Sequence, residues 1–345
     1  MKTTTFIAAA SAAFLLLGCG SGAPGASAPL PPQAKLVLGY FTGSSDSLAS
    51  ATSSATPVSA VSMDVVTVAA DGSLSGVPPA SVLSGDLAAG KASYACISNM
   101  GSADFDPAIA HGAMVANRDA SLRNIVALAR TANLTGINID FEGLYPADRD
   151  AYSSFVSDLA AQLHALHSSL ILSVPAKTVD SASDDWTWPF DYAAIGKSAD
   201  LVQVMTYDEN VPGRSAGPVA GSDWMLASLQ YAASQIPAGK ILLGLPAYGY
   251  DWNLTMGTGT QVAFKDMPAL LATTGAAPQW DATSNSGHIS YSALDGSAHQ
   301  LWYETAQGIQ VKAQFAKTLG LAGVSVWALG YEDAGFWNAV AAGIN

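Results

Sequence analysis

The chain has 345 residues, with 27 Asp and Glu against 14 Lys and Arg, a formal charge of -13, half of its residues hydrophobic and 12% charged. That is too apolar for a disordered chain and long enough for one large domain with a sizeable core. So few basic residues under a net negative charge exclude nucleic acid as a partner, because its binding rests on Lys and Arg neutralising phosphates.

The first residues, MKTTTFIAAASAAFLLLGCGSG, set Lys2 ahead of an apolar run from Phe6 to Leu17. A run of about a dozen residues is too short to span a bilayer and suits the core of a signal peptide. The ending Leu16-Leu17-Gly18-Cys19 resembles a bacterial lipoprotein signal, in which the cysteine is lipidated and becomes the new N-terminus. The resemblance implies a signal peptide over 1–18, lipidation of Cys19, and a place in the bacterial cell envelope with membrane contact through the lipid only. An ordinary secretory peptide, releasing the protein, is the alternative. Residues 19–33 are rich in Gly, Ala, Ser and Pro and read as a flexible tether. With Cys19 lipidated, Cys96 is left alone in Tyr94-Ala95-Cys96-Ile97, so a buried thiol acting as a small hydrophobe is expected, and no disulfide.

In the body, 34–345, short apolar runs alternate with amphipathic stretches. The predicted strands begin near Lys35 (KLVLGYF), Ser62 (SMDVVTV), Ser93 (SYACIS), Thr135 (TGINIDFE), Leu170 (LILSVPA), Leu201 (LVQVMTY), Lys240 (KILLGLPAY) and Gly323 (GVSVWAL). They are apolar on both sides, as parallel strands covered on both faces require. Predicted helices include one around Leu122, Ile125, Val126 and Ala129. Another runs from Asp148 to His167, with Tyr152, Phe155, Val156, Leu159, Leu163 and Leu166 on its stripe, and a third from Ala334 to Ala342. Eight strands with intervening helices predict an α/β fold, a (β/α)8 TIM barrel. An open doubly wound sheet is the rival, but no Gly-rich phosphate turn follows the first strand. The long gap between the seventh and eighth strands predicts a small insertion over about 254–303, with a hairpin at Asp295-Gly296.

The segment Gly136-Ile137-Asn138-Ile139-Asp140-Phe141-Glu142-Gly143 carries the most chemistry. Strand side chains alternate, so Ile137, Ile139 and Phe141 should face the helices while Asn138, Asp140 and Glu142 face the barrel axis. Glu142 then stands at the C-terminal end of its strand, where barrel active sites lie. Two carboxylates so close disfavour double ionisation, and a Glu that holds a proton beside an adjustable Asp suits general-acid catalysis.

This segment is similar to the motif Asp-Gly-x-Asp-x-Asp-x-Glu on the fourth strand of glycoside hydrolase family 18, the chitinases and related N-acetylglucosaminidases. Thr135 and Asn138 stand where the family has its first two Asp residues, while Asp140 and Glu142 match. The Asn resembles the branch that includes spore-cortex and cell-wall glycosidases. Met205-Thr206-Tyr207-Asp208 resembles the sixth-strand signature, and Gly323 to Gly330 the eighth strand with its Trp327. Leu245 to Trp252, with Tyr248, resembles the end of the seventh, and Asp191-Tyr192 with Ile195-Gly196-Lys197 the approach to the sixth.

The resemblance implies an exported enzyme cleaving β-1,4 bonds beside N-acetylglucosamine, the nucleophile being the substrate's own 2-acetamido oxygen. In that mechanism Glu142 is the acid and then the base, Asp140 orients the amide N–H, and Tyr207 holds the amide oxygen. Trp327 forms the floor under the sugar, and Asp208, Asn138, Met205 and Tyr248 are further substrate-binding candidates. Neither metal nor organic cofactor is implied. The partner is a GlcNAc-containing polysaccharide: chitin, peptidoglycan or the core of N-glycans. Exo or endo action and oligomeric state are left open. A catalytically silent lectin on the same barrel is the alternative.

Trp186, Trp188, Trp252, Trp280 and Trp302 are weaker sugar platforms, and Asn99 is a weak candidate at the mouth. His164 and His167 have a spacing that can hold a metal, but no carboxylate accompanies them in the motif, so a surface pair is expected. Ser98 and Ser173 lack a Gly-x-Ser-x-Gly elbow.

Overall fold

Eight parallel strands close on themselves: β1 Leu36–Phe41, β2 Ala60–Val68, β3 Ala92–Ser98, β4 Gly136–Asp140, β5 Ser169–Pro175, β6 Leu201–Met205, β7 Ile241–Pro246 and β8 Gly323–Trp327. Each pairs with the next, and β8 returns to β1, giving a (β/α)8 barrel without an open edge. The computed structural model describes residues 34–345. The expected signal peptide, Cys19 and the tether lie outside the described residues.

Alternation along the strands sorts the side chains into two cores. Outward residues such as Ile137, Ile139 and Phe141 join the layer between barrel and helices. Inside, a plug of Leu38, Ala60, Tyr94, Cys96, Ile171 and Leu242 fills one end. Above the plug sits a buried polar layer containing Tyr40, Ser62, Asn138, Ser173 and Gln203. Burying that much polarity requires mutual hydrogen bonds. Asn138 Nδ2 donates to Tyr40 Oη at 2.9 Å and to Ser62 Oγ at 3.0 Å, while Asn138 Oδ1 accepts from Ser173 Oγ at 3.2 Å. Cys96 is buried in this interior, as expected of a small hydrophobe.

The helix Arg149–His164 buries Tyr152, Phe155, Val156, Leu159 and Leu163 against the barrel. Leu166, expected on the same stripe, is exposed because the helix has ended and His167, with φ 56°, turns the chain towards β5.

The insertion is a five-stranded antiparallel sheet built from Tyr248–Asn253, Thr258–Ala263, Gln279–Asp281, Ser286–Ser292 and Ala298–Tyr303. It begins at Tyr248, before the expected 254. The chain leaves the barrel as soon as Ala247 N has donated to Trp327 O at 2.8 Å. Gly296, with φ 86°, closes the Asp295-Gly296 hairpin. The sheet is bound to the helix Ala306–Thr318 by Lys312, whose Nζ lies 2.6 Å from both Glu304 carboxylate oxygens, the two side chains being wholly buried.

Candidate active site

A cavity of about 850 Å³ opens at the C-terminal ends of the strands, lined in its depth by Tyr40, Asp64, Ser98, Asp140, Ser173, Met205, Tyr207 and Trp327. Glu142 stands on its wall, just past the end of β4. Its backbone is gripped from β3: Asn99 Oδ1 accepts from Glu142 N at 2.8 Å, and Asn99 Nδ2 donates to Glu142 O at 2.8 Å and Asp106 O at 3.0 Å. Gly143, at φ 61°, then turns the chain away. Asn99 is fully buried, so it acts as a bracket for Glu142 and not as a group at the mouth.

Asp140 lies one turn of the pleat deeper and is almost wholly buried, with its Oδ1 lacking any hydrogen-bond partner in the structure. Burial first, and then the negative charge of Asp64, pushes its carboxyl up to about 7. Burial, followed by the charge of Asp140, holds Glu142 well above the usual carboxylate range. The two therefore titrate as a pair that retains a proton near neutrality.

Tyr207 reaches the same cavity from beyond β6, and its hydroxyl accepts from Gln203 Nε2 at 3.3 Å. Gly244 on β7 makes room for it, since a Cβ there would fall 2.8 Å from the Tyr207 ring and 2.7 Å from Val204 O. Trp327 covers Tyr40, with ring centroids 5.5 Å apart.

Asp208, at φ 61°, lines the cavity, and its Oδ1 accepts from Tyr248 Oη at 2.6 Å and Tyr250 Oη at 2.9 Å. Tyr248 is therefore behind the site: it is buried, outside the cavity wall, and holds Asp208 in place. Asn138 likewise lies beneath the cavity, saturated by its own hydrogen bonds. Both were expected to touch substrate; neither is among the residues that line the cavity.

Of the tryptophans, Trp186 lines the cavity and is exposed, whereas Trp188 stacks on the Arg149 guanidinium at 4.1 Å. Buried Lys177 pins the same loop, donating to Phe190 O at 2.6 Å and Asp180 Oδ1 at 2.7 Å. Trp252 is buried, and Trp302 stacks on His288 at 4.6 Å. Trp224, Phe105 and Asp64 line the cavity and were missed, because each comes from a segment without a motif. His164 pairs with Asp200 at 2.9 Å, a carboxylate contributed by the next unit of the fold. Among the described residues, no three His, Cys, Asp or Glu side chains are grouped to hold a metal.

Around the rim stand Asp104, Asp184, Asp208 and Glu209, with Arg214 the one cation among the lining residues.

Paired carboxylates of raised basicity at the mouth of a barrel, over an aromatic floor, are the equipment of a glycosidase. The sequence profile of the Glycosyl hydrolases family 18 matches residues 97–332, and the chain belongs to that family. It is 39% identical to an uncharacterized glycosylase, YvbX, of Bacillus subtilis over 90% of this chain and 92% of that protein. It is similar to the crystal structure of a chitinase from Chromobacterium violaceum, with a TM-score of 0.87 and 39% identity over 90% of this chain and 99% of the other. The Bacillus megaterium spore cortex-lytic enzyme SleL aligns with a TM-score of 0.83 and 26% identity, over 92% of this chain and 76% of its own.

Proposed function

We propose that the protein hydrolyses β-1,4 bonds beside N-acetylglucosamine with retention, by substrate-assisted catalysis. The observation that carries this is the orphaned Asp140 Oδ1. A buried acceptor without a donor is costly, and in a cavity beside a protonated Glu it calls for a donor on the ligand. A 2-acetamido N–H supplies that donor. Glu142 protonates the leaving oxygen, and the acetamido oxygen, held by the Tyr207 hydroxyl, attacks the anomeric carbon. Asp140 then balances the charge of the oxazolinium, after which Glu142 deprotonates the incoming water.

An uncharged strand such as a chitin oligomer fits a cavity whose rim carries four carboxylates and one cation, Arg214. The likeness to the Chromobacterium violaceum chitinase supports the same choice. Chitohexaose and purified peptidoglycan strands, offered side by side with products read by mass spectrometry, test it. Cleavage of chitohexaose with inhibition by a thiazoline mimic of the oxazolinium is expected. Turnover insensitive to the thiazoline would remove the substrate-assisted step. Glu142→Gln should cut kcat by about 10²–10⁴ while binding persists. Binding by the wild type without turnover would restore the lectin alternative.

Export and lipid anchoring through Cys19 form part of the same proposal, supported by the lipoprotein-like N-terminus. Cys19→Ala should shift the protein from the detergent phase to the aqueous phase. Equal partitioning of variant and wild type would leave plain secretion.

A further inference from the structure

In the family motif the strand position of Asn138 carries a carboxylate; here it carries a neutral amide engaged with Tyr40, Ser62 and Ser173. The second inner carboxylate stands instead on β2. Asn138 Nδ2 reaches Ser62 Oγ at 3.0 Å, so these two residues share a layer of the barrel interior. The next inward residues on the same two strands are Asp64 and Asp140, and both line the cavity. Directly after Asp64 the β2–β3 register slips, a bulge between Asp64 and Val66. Bulges of this kind re-aim a side chain beside an active site. Asp64 also lies opposite Cys96 in the strand register.

We propose that Asp64 is a positioning residue for the reaction: from the neighbouring strand it takes the place of the carboxylate that Asn138 lacks, and through Asp140 it governs when the amide clamp is ionised. This rests on the substrate-assisted reading above.

The groups facing Asp140 are Tyr40 from β1, Asp64 from β2, Cys96 from β3, Glu142 beyond β4, Tyr207 beyond β6 and Tyr152 from the helix Arg149–His164. Burial raises the phenols and the thiol, so they stay neutral through the working range, and burial with the charge of Asp140 holds Glu142 well above the usual carboxylate range. Asp64, pushed by burial to about 6, is the neighbour that gains its charge just below the step of Asp140. Its charge raises the pH at which Asp140 ionises.

The test compares wild type, Asp64→Asn, and Asp64→Asn combined with Asn138→Asp. The acid limb of kcat/KM should move to lower pH by on the order of one unit in Asp64→Asn. It should return towards the wild-type position in the double variant, and the alkaline limb should stay in place. In parallel, carboxyl 13C NMR of the ligand-free protein, with the Asp140 signal assigned through Asp140→Asn, should show the same downward shift of its titration midpoint. A midpoint that is unmoved or raised in Asp64→Asn overturns the proposal, whatever happens to stability. If the protein turned over no GlcNAc glycan, the reading of the reaction would fail, and with it the role in the reaction. The NMR titration would then still show whether Asp64 and Asp140 are coupled.

Discussion

The chemistry at the residue scale depends on two protons. Under the proposed mechanism, activity requires Asp140 ionised, to balance the oxazolinium, and Glu142 protonated, to release the leaving group. In kcat/KM, which reports the free enzyme, the acid limb therefore belongs to the step near 7 assigned to Asp140, and activity rises with pH through it. The alkaline limb belongs to Glu142, whose proton is held by burial and by the charge of Asp140, so it falls at higher pH. A pH–rate profile on a soluble chitin oligomer checks the sign; an optimum on the acid side of both steps would reverse the assignment. Asn99 touches no reacting atom, yet it carries three of the hydrogen bonds that place the backbone at Glu142 and at Asp106. Asn99→Ala is expected to lower kcat roughly ten- to hundredfold with little change in KM, as a displaced acid does. A lowered unfolding temperature with kcat per folded molecule unchanged would make Asn99 a purely stabilising residue.

Among the elements, the insertion sheet serves the site indirectly, by delivering Tyr248 and Tyr250 to Asp208. What holds the sheet is the buried pair of Lys312 and Glu304, reinforced by Lys312 Nζ donating to Ser286 Oγ at 3.1 Å. Breaking one side of such a pair leaves an uncompensated charge. Lys312→Met should therefore cost about 3–5 kcal/mol in urea denaturation, whereas Lys312→Met with Glu304→Leu should recover most of it. A double variant as unstable as the single would show that packing, not charge, decides. Within the same sheet Ser297 Oγ lies 3.0 Å from His299 Nε2, and His299 Nδ1 lies 3.1 Å from Asp251, the order of a hydrolytic relay. Ser297 is buried and its hydroxyl also meets Asp295 Oδ1 at 2.6 Å, so the chain of bonds stitches the hairpin.

These elements also show what a sequence exposes. The alternation of Asn138, Asp140 and Glu142 was legible because a strand's two faces follow from parity alone. Parity ceased to help at Tyr248, where the chain passes from β7 into another sheet and its side chain turns behind the cavity. Asp64 was not legible as a site residue, and Asn99 only as a weak candidate at the mouth, because their meaning lies in contacts across strands. Those contacts depend on register and on a bulge that no local pattern announces. Lys312 is a similar case: a lone Lys on a helix reads as surface until Glu304, from the segment that leads into that helix, is placed beside it.

At the scale of the whole molecule, a formal charge of -13 is accompanied by carboxylates around the cavity, where charge bears on substrate choice. The rim carboxylates Asp104, Asp184, Asp208 and Glu209 project the molecule's field over the cavity, and Arg214 opposes them. A cleft lined by one sign of charge repels ligands of that sign over distances near the Debye length, and salt removes the repulsion. An uncharged chitin oligomer should accordingly show a KM that is flat with ionic strength. A glycan strand bearing muramic carboxylates should show a KM that falls several-fold as salt is raised from low to physiological levels. Steady-state kinetics on both substrates across a salt series, with Arg214→Gln beside the wild type, separates the field from a local contact. If Arg214 anchors a carboxylate, its removal weakens the anionic strand alone at every salt concentration. If the field governs, the variant shifts the anionic KM mainly at low salt and leaves the chitin oligomer unchanged. Preference for the anionic strand at low salt, abolished by Arg214→Gln, would move the substrate from chitin to peptidoglycan while leaving the chemistry at Glu142 and Asp140 as described.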